Sequence, residues 1–238
     1  METEIIIIKM ISLMIIAYVI GSFPTGVIIS KKFFGFDIRT KGSGNMGSTN
    51  VMRILGTKWG ILVQVIDLLK GFIAVFLLAD IIGNNWQMFG QDSFLSLPIL
   101  EISVGISAIA GHIWSCFVGF KGGKGINTLA GMLIAIMPIE FGIGIFVFAL
   151  TVGISGYVSL GSILGTTVIP LVLFMRYNLF EVNIKGYFTL IYFSIGIVLL
   201  VYFTHRSNIV RLIKGTENKT ENMQFLKNYF RKTKGKAV

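Results

Sequence analysis

The fold is decided by a stretch of 52 residues, Ile126 to Tyr177, with only two charged side chains: INTLAGMLIAIMPIEFGIGIFVFALTVGISGYVSLGSILGTTVIPLVLFMRY. A helix that crosses the hydrocarbon core of a bilayer needs about 20 apolar residues. The stretch is therefore too long for two crossings and short for three. The number of times it crosses fixes the side of the membrane on which every later segment lies.

The rest of the chain supports an all-α polytopic membrane protein. Its residues are 54% hydrophobic and its mean hydropathy is +0.79, far above an ordinary soluble domain. Strand-like alternation is absent. Four further clear spans lie at about Ile5–Ile29, Trp59–Ile82, Pro98–Gly119 and Gly186–Thr204. The first is expected to be a retained helix, since it follows acidic residues and lacks a small-residue cleavage site. The single cysteine, Cys116, cannot form an internal disulfide.

The basic residues are clustered, and their placement predicts topology. The net charge is +10, but the basic residues are not interleaved with the aromatic platforms that nucleic-acid binders use, so no nucleic-acid partner is expected. Of the 21 basic residues, six lie between residues 31 and 58, two at 121 and 124, and nine from 206 to 236. The positive-inside rule places these three segments in the cytoplasm and the loop at 84–97, which has no basic residue, outside.

Because the segment at 124 and the tail both lie inside, the number of crossings between them must be even. The region from Ile126 to Ser155 must then leave the cytoplasmic side and return to it, as a pair of short helices hinged near Pro138 would do. We therefore expect about seven transmembrane helices, some short or broken, with the N-terminus outside and the C-terminus cytoplasmic. Residues 1–221 form one membrane-embedded domain, and residues 222–238 form a basic tail suited to anionic lipid.

This topology places four polar segments on the cytoplasmic face: KGSGNMGSTNVMR at 41–53, FKGGKG at 120–125, SGYVSLGS at 155–162 and HRSNIVRLIKGTEN at 205–218. The first combines glycines, which let backbone N–H groups converge on an anion, with hydroxyl and amide side chains. Arg53 adds a guanidinium that can bind an oxyanion through two hydrogen bonds. A flexible connector and a cytoplasmic anchor are the plainer interpretations of this loop and this arginine.

The second segment resembles a nucleotide P-loop only superficially. It is one residue short, and Gly125 stands where the magnesium-binding hydroxyl is needed, so ATP is not implied. Lys121 and Lys124 among glycines at the start of a helix are suited to binding phosphate. A turn-rich cytoplasmic loop remains the alternative.

Three groups of polar residues near or within the helices have separate interpretations. His205 and Asn208 leave the last span on the same helical face, where either could orient or deprotonate a hydroxyl, or simply end an amphipathic helix. His112, among apolar neighbours, is expected to be a hydrogen-bonded packing residue. Asp67 and Lys70 lie one turn apart within a span and are expected to pair structurally, with a proton relay left open.

Six motifs in order, GSFPTG, GSGNMGSTNVMRILG, DLLKG, GHIWSCFVGFKGGKG, YVSLGS and HRSNIVRLIKGTEN, resemble the bacterial acyl-phosphate:glycerol-3-phosphate acyltransferase family. The resemblance runs from about Gly21 to Lys219. It implies a seven-helix protein of the bacterial plasma membrane that transfers a fatty acyl group from acyl phosphate to the 1-hydroxyl of glycerol 3-phosphate. The products would be lysophosphatidic acid and phosphate.

The resemblance also implies roles for particular residues. Catalytic roles fall to Ser43, Arg53, Lys124, His205 and Asn208. Substrate-binding roles fall to Gly44, Asn45, Gly47, Thr49, Asn50, Lys121, Gly122, Gly123, Gly125 and Ser162. Glu217 would be a structural acid. The structural role of the Asp67–Lys70 pair is expected from the residues alone. The chain departs from the family where proline is usual at Met46 and alanine is usual at Ser48.

The residues themselves agree with this chemistry. Acyl phosphate is already an activated mixed anhydride, so no cysteine nucleophile, metal or other cofactor is needed, and positioning with charge stabilisation suffices. The expected partners are acyl phosphate, glycerol 3-phosphate and membrane lipids. The resemblance alone implies a further partner, a soluble enzyme that supplies acyl phosphate. The proton of the attacking glycerol hydroxyl passes either to His205 or to a phosphate oxygen of the substrate.

Two rival functions fit part of the sequence. An anion transporter would also use broken helices with N-termini aimed at anions. It would need a site near the midplane, whereas these motifs are expected at one surface. A scaffold that binds lipid through basic loops leaves the recurrence of glycine beside cation and hydroxyl unexplained.

Overall fold

The computed structural model describes residues 2–83, 85, 96–217 and 219. The basic tail expected at 222–238 lies outside the described residues, as does most of the loop at 84–97. The described residues form α-helices, a π-helix at Ala74–Gly83 that continues the fourth of them, two short 3-10 helices and no strand. The helices are α1 (Glu2–Ser22), α2 (Thr25–Phe34), α3 (Ser48–Leu55), α4 (Thr57–Ile73), α5 (Leu97–Ile113), α6 (Ile126–Ile136), α7 (Pro138–Ser155), α8 (Val158–Asn178), α9 (Tyr187–Thr204) and α10 (Arg206–Ile213).

The chain divides into two compact units, one ending at Ile136 and the other beginning at Met137. Six helical segments in the described residues are long and apolar enough to cross a membrane: Thr3–Phe34, Thr57–Gly83, Leu97–Val118, Pro138–Ser155, Val158–Asn178 and Tyr187–Thr204. A shorter apolar helix, α6, has 11 residues. The expectation of an all-helical membrane protein with about seven apolar helices, some short or broken, is confirmed.

The break expected near Pro138 falls at Met137. Pro138 is the first residue of α7, where its missing N–H costs nothing and its fixed φ favours helix initiation. The two helices on either side differ in length, with 11 residues in α6 and 18 in α7. The expectation of two short helices therefore describes α6 but not α7, which is long enough to span.

In the first unit, the first span is also broken, between Ser22 and Thr25, where Pro24 interrupts it. Lys70 Nζ on α4 donates to the carbonyl oxygen of Phe23, which the break exposes, and to Asp67 Oδ1, each at 2.5 Å. Thr25 Oγ1 donates to the same carboxylate at 3.2 Å. The buried charge pair and the broken helix therefore satisfy each other's hydrogen-bonding groups.

Helices α4 and α6 of this unit make a close contact through paired glycines. A Cβ on Gly71 would overlap the carbonyl oxygen of Thr128, and a Cβ on Gly131 would overlap that of Leu68. Small residues that let helix backbones approach in this way are typical of membrane proteins. The contact fixes the first turn of α6 beside α4 and so positions one wall of the site.

An apolar cluster lies beneath the polar loop at 41–47. Its buried members are Val27, Ile29, Ile38, Met46, Val51 and Val63. Met46 is only 1% exposed, so it anchors the otherwise polar loop to this core.

In the second unit, α7 packs on α8 through another glycine pair, because a Cβ on Gly144 would press on the carbonyl oxygen of Gly165 and the reverse also holds. Arg176 on α8 forms an ion pair with the buried Glu140 at the start of α7. Helix α10 follows α9 directly after His205.

Candidate functional site

The loop at 41–47 is held by the side chain of Asn50, on the first turn of α3. Asn50 is 2% exposed, and its Nδ2 donates to the carbonyl oxygens of Asn45 at 2.8 Å and Lys41 at 3.1 Å. Its Oδ1 accepts the backbone N–H of Ser43 at 2.9 Å. The amide of Asn50 therefore organises the loop internally and leaves the hydroxyl of Ser43 free.

Two further devices shape this loop. Asn45 Oδ1 accepts the N–H of Gly47 at 2.8 Å, which turns the chain into α3. Gly42 and Gly44 have φ of +58° and +72°, a region that side-chain-bearing residues rarely adopt. A Cβ on Gly42 would also overlap Asn50 Oδ1. The glycines therefore meet a geometric requirement of the loop.

A cavity of about 320 Å³ opens beside this loop within the first unit. The loop and α3 line it from one side and the start of α6 from the other. Its lining residues are Ser43, Asn45, Gly47, Ser48, Thr49, Asn50, Arg53, Asp67, His112, Lys124, Gly125, Ile126 and Asn127. Eight positions expected to bind substrate or to act in catalysis thus share one cavity although they come from two separate sequence segments.

Four of the lining side chains offer unused hydrogen-bond donors. Ser43 Oγ, Thr49 Oγ1, the guanidinium of Arg53 and the ammonium of Lys124 have no partner among the described residues, and all four side chains are exposed. Arg53 and Lys124 make the cavity electropositive. The arrangement favours an anion with several acceptor oxygens.

The N-termini of α3 and α6 both border the cavity. Gly47 precedes α3, and no side chain caps that helix. Gly125, with φ of +76°, precedes α6, and its carbonyl accepts the N–H of Leu129 at 2.8 Å. The N–H groups at the uncapped start of α3 and the positive ends of the two helix dipoles add to the attraction for an anion.

Gly122 and Gly123 are placed differently from Lys124. Their backbone N–H groups donate to the carbonyl oxygens of Ile113 and His112, each at 3.0 Å, so these donors are already used. A Cβ on Gly123 would overlap the ring of His112. These two glycines let the segment fold closely over the end of α5, and this packing places Lys124 at the cavity.

Lys121, Gly122 and Gly44 line a second, more open cavity of about 560 Å³ in the same unit. Asp37 and Arg39 form its base with an ion pair of 2.8 Å, and Arg39 Nη1 also donates to the carbonyl oxygen of Val118 at 2.8 Å. Hydrogen bonding from Arg39 holds the pKa of Asp37 well below its usual range. Arg39 Nη1 also lies 3.3 Å from the carbonyl oxygen of Lys121, so Arg39 joins the chain just before the first polar segment to the second segment.

The floor of the first cavity contains Asp67 and His112. His112 is 3% exposed, and its Nδ1 lies 3.8 Å from Asp67 Oδ1. Among the described residues, this nitrogen has no hydrogen-bond partner. The expectation of a hydrogen-bonded packing residue is therefore met only in its burial.

In the second unit, the carboxylate of Glu217 accepts hydrogen bonds from three side chains. Its Oε1 accepts from Asn208 Nδ2 at 2.8 Å and from Ser159 Oγ at 3.0 Å, and its Oε2 accepts from Arg211 Nε at 2.7 Å. These donors, Asn208 first, lower the pKa of Glu217 below its ordinary value. The bond fixes the amide of Asn208 and leaves its Oδ1 available as an acceptor.

His205 has a defined tautomer. Its Nδ1 lies 3.0 Å from the carbonyl oxygen of Val201, which can only accept, so Nδ1 carries the proton. In the neutral ring, Nε2 is then the free acceptor.

Ser162 donates to the carbonyl of Val158 in its own helix at 3.0 Å, and Ser159 in the same motif is the serine that contacts Glu217.

Sequence reasoning assigned no site role to His112, Asn127 or Ser159. Asn127 lies on the first turn of α6, shortly after Lys124 and Gly125, and lines the same cavity as these two residues. A polar residue at the start of a helix is a signal that the sequence alone provides. The location of His112 depends on the close fit of Gly123 over α5, which the sequence does not reveal.

The fold and the cavity together define a polytopic membrane protein with an electropositive cavity suited to an anion. Comparison with known proteins narrows this class. Residues 11–215 match the glycerol-3-phosphate acyltransferase family, and the chain belongs to that family.

Individual relatives agree. The chain is 38% identical to the glycerol-3-phosphate acyltransferase of Chlorobium phaeobacteroides over 227 residues, which cover 88% of this chain and 96% of the relative. It is 40% identical to that of Chlorobaculum tepidum over 225 residues, covering 88% and 95%. The crystal structure of PlsY, an integral membrane glycerol 3-phosphate acyltransferase in its glycerol 3-phosphate form, is similar with a TM-score of 0.64 and 36% identity, covering 91% of this chain and 98% of that one. A lysophosphatidic acid form of PlsY gives the same TM-score at 34% identity.

Proposed function

We propose that this protein transfers a fatty acyl group from acyl phosphate to the 1-hydroxyl of glycerol 3-phosphate, at the cytoplasmic face of a bacterial plasma membrane. The observation that carries the proposal is the cavity in which Ser43, Arg53 and Lys124 present unused donors from separate segments. Both substrates carry phosphate, which is what such donors bind. Membership of an acyltransferase family favours this reaction over an anion transporter or a scaffold.

In the proposed reaction, the glycerol hydroxyl attacks the carbonyl carbon of acyl phosphate. A carbon–oxygen ester bond forms, and the bond from the carbonyl carbon to the phosphate oxygen breaks. Lysophosphatidic acid and inorganic phosphate are released. The donor carries its own good leaving group, so the residues of the chain need only orient the reactants and stabilise charge.

We assign roles on this basis. Arg53 and Lys124 hold phosphate groups, and Ser43 with neighbouring N–H groups binds the acyl-phosphate head or the developing oxyanion. His205 and Asn208 orient the attacking hydroxyl, His205 through its free Nε2 and Asn208 through the Oδ1 that Glu217 leaves exposed. Glu217, Asp67 and Lys70 have structural roles.

The test is an assay of the purified protein in detergent micelles with palmitoyl phosphate and labelled glycerol 3-phosphate, scored for lysophosphatidic acid. We expect turnover without added nucleotide, metal or thioester. A reaction supported only by acyl-CoA would overturn the assignment of the donor. A burst of phosphate before glycerol 3-phosphate is added would replace direct transfer with an acyl-Ser43 intermediate.

Single variants test the assigned roles. Ser43→Ala and Arg53→Ala are expected to lower kcat/KM by about 100-fold, as the loss of one strong charge-stabilising donor does. Lys124→Ala should mainly raise the KM for glycerol 3-phosphate.

His205→Ala distinguishes the two routes for the proton. A fall in kcat/KM of about 100-fold or more indicates general-base catalysis by His205, and a small fall indicates transfer to a phosphate oxygen.

A further inference from the structure

Ser48 and Asn127 form a hydrogen bond across the cavity wall. Asn127 Nδ2, on the first turn of α6, donates to Ser48 Oγ, the first residue of α3, at 3.0 Å. Both residues line the cavity, and Ser48 is 8% exposed. Asn127 was given no role above, and Ser48 was considered only as one of the hydroxyl side chains of the first polar segment. Ser48 stands where alanine is usual in the acyltransferase family.

The direction of this bond determines what Ser48 can do. A serine hydroxyl has one proton to donate and lone pairs that accept. Because Oγ accepts from Asn127, its own proton is available to a second partner, and among the described residues it has none. The polarised hydroxyl therefore presents a donor to the cavity, beside the electropositive Arg53 and Lys124.

We propose that Ser48 and Asn127 form an additional phosphate-binding pair, in which Ser48 donates to a phosphate oxygen of a substrate and Asn127 orients that hydroxyl. Ser48 is a specificity residue that touches substrate, and Asn127 is a positioning residue that acts through it. The inference rests on the proposed function for the identity of the reactants. The chemistry that the pair recognises is a phosphate group, whichever reactant brings it.

The experiment is a double-mutant cycle with Ser48→Ala, Asn127→Ala and the combined variant, assayed for the KM of each substrate while the other is saturating. Ser48→Ala is expected to raise the KM of one phosphate-bearing substrate about 10-fold, as loss of a hydrogen bond to a charged group does, with kcat changed less than two-fold. Asn127→Ala should raise the same KM about three-fold. The combined variant should match Ser48→Ala, because Asn127 acts through Ser48.

Controls separate recognition from folding. Ser48→Thr keeps a hydroxyl and should restore the wild-type KM. Ser107→Ala removes a hydroxyl that bonds only within α5, to the carbonyl of Ser103, and should leave both KM values unchanged. The thermal midpoint of each variant in detergent reports folding, and if Ser48→Ala does not fold, Asn127→Ala and Ser48→Thr carry the test.

The outcomes distinguish the two reactants. A rise confined to acyl phosphate places its phosphate at the pair, and a rise confined to glycerol 3-phosphate places the acceptor there. Unchanged KM values for both, or effects of the two substitutions that multiply independently, would overturn the pair. Should the wild type use only acyl-CoA, the proposed donor fails, but the glycerol 3-phosphate arm still tests the pair.

Discussion

At the scale of single residues, Asn50 matters more than any one glycine in the loop at 41–47. Its amide bonds two carbonyls and one N–H within the loop, and the carbonyl of Ile38 just before it. We expect Asn50→Ala to destabilise the protein by about 2–3 kcal/mol, since several hydrogen bonds of one buried amide are lost together. Turnover should fall further in Asn50→Ala than in Thr49→Ala, because loss of the Asn50 amide disorders every donor of the loop.

The measurement is thermal unfolding in detergent together with turnover. Asn178→Ala is the matched control, since that amide bonds the carbonyl of Phe174 and the hydroxyl of Tyr187 at an exposed position. It should cost less than about 1 kcal/mol and leave turnover unchanged. An equal effect of the two substitutions would contradict the role of Asn50.

A second residue-scale prediction concerns the response of Glu217 to pH. Its pKa is lowered in the folded protein, so its charge contributes stability above the unfolded value of about 4.3. This contribution is lost as the pH falls through the lower folded value. The thermal midpoint of the wild type should therefore drop between about pH 5 and pH 3, and Glu217→Gln should flatten part of that drop.

Between pH 6 and pH 8 Glu217 remains charged and should not contribute to the pH profile of turnover. Glu217→Gln should lower kcat/KM about 10-fold across that range, because Asn208 and Arg211 lose a charged acceptor. Glu181→Gln, at an exposed carboxylate of the same unit, serves as the control and should change neither measurement. If Glu217→Gln proved as acid-sensitive as the wild type, the prediction would be wrong.

At the scale of elements, the site depends on how closely α6 lies against α4. Gly131→Ala places a methyl group on the carbonyl of Leu68 and should destabilise the protein by about 1–3 kcal/mol. Because α6 carries one wall of the cavity, the KM for a phosphate-bearing substrate should also rise. Thermal unfolding and steady-state kinetics measure both effects.

Gly142→Ala is the matched control, since a Cβ there meets nothing within 4 Å. Alanine favours a helix over glycine, so this variant should be neutral or slightly stabilised. A neutral Gly131→Ala would show that the helices can separate without cost, and the assigned wall would then not be rigid.

Much of the fold could be predicted from sequence, because apolar length alone specifies a spanning helix and proline specifies a break. The break at Pro24 was missed, since an apolar run continues on both sides of it. The loop and Lys124 were predicted as a site from their residue types. The bond between Asn127 and Ser48 was not, because it joins residues 79 positions apart, and hydropathy does not distinguish contact with protein from contact with lipid.

At the scale of the whole molecule, the distribution of basic residues predicts one cytoplasmic face for the four polar segments. We expect a cysteine at Thr40 and one at Ser207, each in a Cys116→Ala background, to react with an impermeant maleimide only in inverted vesicles. A cysteine at Asn85 should react only in right-side-out vesicles. Labelling of positions 40 and 207 from opposite sides would contradict the predicted topology and the proposed reaction with it.

The internal bracing of the loop at 41–47 has a kinetic consequence. A loop that is already ordered before a reactant binds loses little conformational entropy on binding. The same holds for the binding of a released inorganic ion. If the proposed reaction holds, accumulated orthophosphate would occupy the same site and slow turnover, so that the rate of lipid synthesis would depend on how quickly the cell removes this product.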